Sequence, residues 1–142
     1  MEHAVDTLNR LLDAESSSLV HRLSESNPFV TWPAAADRAV VERIVADVGR
    51  HRRELVEMIL TLRGAAVPPR YPSSMGGVHY LKLSYLMPQV ITSVRELVKT
   101  YESAGSTGRP QADALIARLL ADYQRHLAEL EKMHANLAQP AA

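Results

Sequence analysis

Apolar residues recur every three to four positions in four stretches of the chain, the spacing of helices that bury one face. In the first, about Asp6 to Ser24, Leu8, Leu11, Leu12, Leu19 and Leu23 share a stripe, and Asp6 suits the N-cap. The second, about Ala34 to Arg63, holds Val41, Ile44, Val48, Leu55, Ile59 and Leu62 in phase; Pro33 suits its start and Gly64 its end. The third, about Val78 to Ser103, carries Leu83, Leu86, Val90, Val94, Leu97 and Tyr101, with a kink expected at Pro88. The fourth, about Pro110 to Leu137, carries Leu115, Leu119, Tyr123, Leu130 and Leu137.

The polar stretches between them set the topology. Residues 25–33 and 104–109 are short and rich in Ser, Gly, Asn and Pro, as tight helix hairpins require. Residues 64–77, GAAVPPRYPSSMGG, are longer, with three prolines and three glycines. Short, long, short predicts an all-α fold: an antiparallel four-helix bundle of two helix hairpins, with a long crossover between helices 2 and 3. Neither half alone would bury its stripes, so residues 1–142 read as one domain. Trp32, in the first hairpin loop, is expected to plug the bundle end.

The chain also repeats itself. ADVGRHRREL, residues 46–55, returns as ADYQRHLAEL, residues 121–130, and a shift of 75 positions gives nine identities over residues 43–62. They include Arg43/Arg118, Asp47/Asp122, Arg50/Arg125, His51/His126 and Glu54/Glu129. The same shift lays Leu8 on Leu83, Leu11 on Leu86, Leu19 on Val94 and Leu23 on Val98, so one hairpin has been written twice. Projected on a helix, His51 and His126 fall at the inner edge of the stripe, while Asp47, Arg50 and Glu54 lie further round. Those charges suit a solvated or interfacial cluster with pairs at i, i+3 and i, i+4.

Glu15 is the residue that breaks the pattern. It falls inside the stripe of Leu8, Leu11, Leu12 and Leu19, where a carboxylate is costly unless paired, protonated or metal-bound. Arg22 lies on nearly the same face but two turns away, about 10 Å, so a partner on another helix is expected. His51 and His126 are the inward candidates. His3, His21, His79 and His134 fall near ends or on outer faces.

Composition narrows the function classes. Sixteen basic residues balance sixteen acidic ones, which favours neither nucleic acid nor an anionic membrane. There is no cysteine, so disulfides and thiolate chemistry are excluded. No stretch reaches the roughly 20 apolar residues that span a bilayer. The opening MEHAVDTLNRLL does not read as a signal peptide, which makes the cytoplasm the default location. The Gly-Gly at 76–77 follows no strand, and no serine stands in a nucleophile elbow.

Two hairpins with a long crossover, an inward acid on the first helix and a histidine deep in the second and fourth resemble the ferritin-like superfamily. GRHRRELVEMILTLRG, residues 49–64, resembles the second helix of bacterioferritins and rubrerythrins. The resemblance implies a di-iron site built from one Glu on each of two helices and Glu-x-x-His on the other two. By that resemblance Glu15 matches the first glutamate, and His51 and His126 the two histidines. Val48, Tyr123 and Val90 stand where the other three glutamates belong, which leaves three of six ligands. Gly49 stands where a bacterioferritin haem methionine would fall, so no haem is expected.

Three readings follow. In the first, the bundle has lost its di-iron centre and its ferroxidase activity, and Glu15, His51 and His126 form a buried polar cluster that Tyr123 joins. In the second, Glu15, His51 and His126, completed by Tyr123 or water, hold a single iron, zinc or manganese ion. Asp47 and Asp122, one turn before each histidine, then orient the imidazoles from behind. In the third, the chain is a helical interaction module, a homo-oligomer such as a dimer.

Overall fold

The computed structural model describes residues 3–17, 35–67 and 83–138. They form four α-helices, α1 (His3–Ser16), α2 (Ala35–Thr61), α3 (Leu83–Glu102) and α4 (Pro110–Ala138), with no strand among the described residues. The fold is therefore all-α, as the periodicity predicts. The expected stretches of helix 1 beyond Ser17 and of helix 3 before Leu83 lie outside the described residues. So do Leu19, His21, Arg22, Leu23, Trp32, Pro33, Gly76, Gly77 and His79, and the side chains of Leu83, Leu86 and Leu137.

The stripes are the core. Leu8, Leu11 and Leu12 of α1, Val41, Ile44, Val48, Leu55 and Ile59 of α2, Val90, Val94, Leu97 and Tyr101 of α3, and Leu115, Leu119, Tyr123 and Leu130 of α4 are buried in one cluster. Each large aliphatic or aromatic side chain removed from water contributes about 1.5–3 kcal/mol. That drives α1 onto α2, α3 onto α4, α1 onto α3 and α2 onto α4. Pro88 lies inside α3 on its exposed side. Among the described residues no helix is long and apolar enough to cross a membrane.

The helix ends correct two local expectations. α1 begins at His3, so Asp6 sits in its first turn, where its charge faces the positive end of the helix dipole. At the end of α2 the left-handed residue is Arg63, with φ 63°, and not Gly64. Arg63 N–H bonds to Leu60 C=O and Gly64 N–H to Ile59 C=O, both at 2.9 Å, the paired bonds of a Schellman turn. Gly64 is required for another reason: a Cβ there would lie 2.6 Å from Val5 Cγ1. Asn9 ties down the next residues, donating to Ala65 C=O at 2.9 Å and accepting from Val67 N–H at 2.8 Å. The C-terminal end of α2 thus sits against the N-terminal half of α1, which leaves Ser16, at the other end of α1, beside Arg52.

The α3–α4 turn uses Gly105 and Gly108 at positive φ. Asp113, in the first turn of α4, accepts from Thr107 N–H at 2.8 Å and from the Thr107 and Ser106 hydroxyls. These bonds hold its carboxyl below the usual carboxylate range.

Candidate functional site

Glu15 follows Leu11 by one turn on α1, and the packing that buries the leucine stripe buries the carboxyl with it, at 0 % exposure. Partners converge on it from the other helices. Tyr101, at the end of α3, donates its hydroxyl to Glu15 Oε2 at 2.8 Å. Tyr123, midway along α4, donates its hydroxyl to Glu15 Oε1. His51 Nδ1, on α2, is 3.7 Å from the same Oε1. Burial raises the Glu15 pKa to about 8, only partly opposed by the Tyr101 hydrogen bond and the Arg52 charge. At neutral pH the group is an uncharged carboxylic acid. Burial, with Glu15 alongside, also pushes the Tyr101 hydroxyl well above the ordinary tyrosine range.

Both histidines lie in the interior as expected, with ring centroids 6.0 Å apart and planes within 18°. Tyr123 meets each edge-on, at 4.9 Å from His51 and 5.8 Å from His126. Burial lowers both imidazole pKa values, although hydrogen bonds to Asp122 and Asp47 pull them partly back. Both rings are neutral at pH 7.

Each aspartate pairs with an imidazole, but not with the one that follows it by a turn on its own helix. His51 Nε2 is 3.0 Å from Asp122 Oδ2, and His126 Nε2 is 3.0 Å from Asp47 Oδ2. Each aspartate serves the histidine of the opposite helix, because both carboxylates sit at the α2–α4 seam while the rings turn inward from it. A carboxylate on Nε2 makes that nitrogen the donor and leaves Nδ1 as a bare acceptor. Both Nδ1 atoms are buried, with no hydrogen-bond partner among the described residues. Burial raises the Asp122 carboxyl, but hydrogen bonds from His51 and Arg125 outweigh it and hold its pKa below the usual value.

The seam continues outward as a ladder. Arg43 pairs with Glu129 and Arg118 with Glu54, while Arg50 reaches Asp47, Glu54 and Asp122 at 3.3–3.6 Å. Along α2 the paired cross-helix members are Arg43, Asp47, His51 and Glu54, and their partners on α4 are Glu129, His126, Asp122 and Arg118; Arg50 also reaches across, to Asp122. Residue numbers rise on one helix as they fall on the other. The 75-residue shift exchanges the outer two pairs with each other and the inner two with each other.

Glu15, His51, His126, Tyr123 and Tyr101 are all interior, as their places in or beside the apolar stripes predict, but the sequence does not assign Tyr101 to the cluster. A tyrosine in an apolar stripe brings a hydroxyl that needs a partner, and that is the signal for it. His134, expected on an outer face, is half-buried, with its Nδ1 buried and without a hydrogen-bond partner among the described residues. Val48 and Val90, two of the three positions at which the resemblance would put a glutamate, are packed in the core. Among the described residues no group of three or more His, Cys, Asp and Glu side chains is disposed to hold a metal ion. Compared with protein-family models, curated proteins and solved structures, the chain has no match.

Proposed function

We propose that the chain is an antiparallel four-helix bundle of the ferritin-like kind whose di-iron centre is replaced by a metal-free Glu15–His51–Tyr101–Tyr123 cluster, without ferroxidase activity. The α2–α4 ladder supports the topology. α1 and α2 run in opposite directions, and so do α2 and α4, whereas plain up–down–up–down connections would make α2 and α4 parallel. Opposed α2 and α4, with a short turn between α3 and α4, call for a connection along the bundle's length. The 21 residues between Thr61 and Leu83 reach up to about 70 Å, against about 40 Å for α2.

One observation carries the loss of the metal centre. Tyr123, which stands where the resemblance calls for a metal-bridging glutamate, gives its hydroxyl to Glu15 instead. With Val48 and Val90 in two other glutamate positions, the donors present do not fit two iron ions. A single acid cannot neutralise two adjacent cations in a dry core. Iron supplied as Fe(II) in air is expected to oxidise no faster with the protein than in buffer, and purified protein to carry far less than one metal ion per chain. Saturable iron oxidation by the folded protein would refute the reading.

A second reading, one iron, zinc or manganese ion on Glu15, His51 and His126, is favoured by the two buried Nδ1 atoms whose rings Asp122 and Asp47 already hold from behind. It requires the Tyr123 hydroxyl to leave Glu15 or to join the ion. Near-stoichiometric metal, lost in His51→Ala/His126→Ala, would establish it over the first.

A further inference from the structure

We propose that the α2–α4 seam is also an interaction surface for a second copy of this chain, reached by reciprocal exchange of hairpins. Arg43 faces Glu129 and Glu54 faces Arg118; His51 faces Asp122 and Asp47 faces His126. Because Arg43 repeats as Arg118, Asp47 as Asp122, His51 as His126 and Glu54 as Glu129, the face on α2 is the face on α4. A face complementary to its own repeat is complementary to itself. These four pairs therefore distinguish neither one hairpin from the other nor the chain from a second copy; Arg50, which crosses to Asp122 while its repeat Arg125 pairs with Asp122 on its own helix, is the departure from that symmetry.

The cluster beneath makes the first distinction. Glu15 repeats as Val90 and Tyr123 as Val48, so the core is asymmetric where the ladder is symmetric. Hairpin 1 (α1–α2) on hairpin 1 would bury two Glu15 carboxyls against valines, without Tyr101 or Tyr123. Hairpin 2 (α3–α4) on hairpin 2 would bury two pairs of tyrosine hydroxyls without the carboxyl. Each unsatisfied buried group is destabilising. Only hairpin 1 with hairpin 2 satisfies both, within one chain or across two. In the exchanged dimer each bundle keeps every contact of the single chain, so protein concentration and the 62–82 connection decide the balance. The selecting role of Glu15 rests on the metal-free reading; the exchange rests on the ladder alone.

The test uses two full-length variants with complementary charge reversals. Arg43→Glu/Glu54→Arg reverses hairpin 1, and Arg118→Glu/Glu129→Arg reverses hairpin 2; each alone faces like charge with like across its seam. Refolded together, hairpin 1 of either variant matches hairpin 2 of the other. The expected result is a one-to-one complex at twice the 15.7 kDa chain mass, formed from the mixture and from neither variant alone. The chain carrying all four changes is complementary within itself and is expected to melt as wild type does. If that control recovers while the mixture stays at 15.7 kDa, exchange is refuted; if the control does not recover, the ladder is not self-complementary and the premise falls. A dimer of the first variant alone, hairpin 1 on hairpin 1, would overturn the selection by Glu15 and Tyr123.

Discussion

The Glu15 carboxyl keeps its proton up to about pH 8 in the folded chain, where no water reaches it, against about 4.5 in the unfolded chain. Between those values the folded state holds one proton more, so stability falls as pH rises, by about 1.4 kcal/mol per unit and on the order of 5 kcal/mol in all. His51 and His126 act in the opposite sense. Their folded pKa values lie below 6.5, so their contribution is present above pH 6.5 and lost as pH falls below it. The thermal midpoint is therefore expected to decline between pH 6.5 and 8.5, and Glu15→Gln, neutral at every pH, to flatten that decline. An equal decline in the variant would mean that Glu15 does not carry the proton. Tyr123→Phe keeps the ring contacts with both histidines and removes one donor to Glu15. It is expected to cost about 1–3 kcal/mol in denaturant unfolding at pH 6; a cost near zero would mean the hydroxyl bond contributes nothing. Glu15 was legible as a polar letter in an apolar stripe. The crossed Asp–His pairs were not, because spacing reveals neighbours on one helix and says nothing of which helix lies opposite.

At the scale of elements, periodicity located all four helices, since each stripe has enough apolar area to bury. It misread the end of α2. A glycine after a helix ordinarily supplies the left-handed residue, but here Arg63 takes that conformation and Gly64 makes room for Val5. The two positions give opposite predictions. Arg63→Gly relieves a strained φ and is expected to raise stability by up to about 1 kcal/mol. Gly64→Ala drives a methyl group into Val5 and is expected to lower stability by about 1–3 kcal/mol, the range for overpacking. Thermal unfolding of both variants distinguishes this account from a simple glycine cap, in which Gly64→Ala would still destabilise but Arg63→Gly would bring no gain. No sequence rule separates the two roles of Gly64, because the contact is with a residue 59 positions away.

For the whole molecule the repeat was the most informative feature, and its meaning changed once the helices were in place. As a string, A-D-x-x-R-H-x-x-E-L twice records one hairpin written twice, with charges that suit i, i+3 and i, i+4 pairs along each helix. In the fold its charged letters pair across one seam, Arg43 with Glu129 and Glu54 with Arg118, exposed pairs contributing about 0.2–1 kcal/mol each. Its histidines are held from that seam and face the core. The differences between the copies, Glu15 against Val90 and Tyr123 against Val48, carry the interior chemistry. A metal that binds only the folded state raises stability by about 2.7 kcal/mol at 100 times its dissociation constant. The thermal midpoint of the chelator-stripped protein, measured with excess zinc, manganese or, under anaerobic conditions, Fe(II), therefore addresses the metal-free cluster most directly. The account predicts no rise with any of the three. A rise of several degrees that vanishes in His51→Ala/His126→Ala and in Glu15→Gln would contradict it.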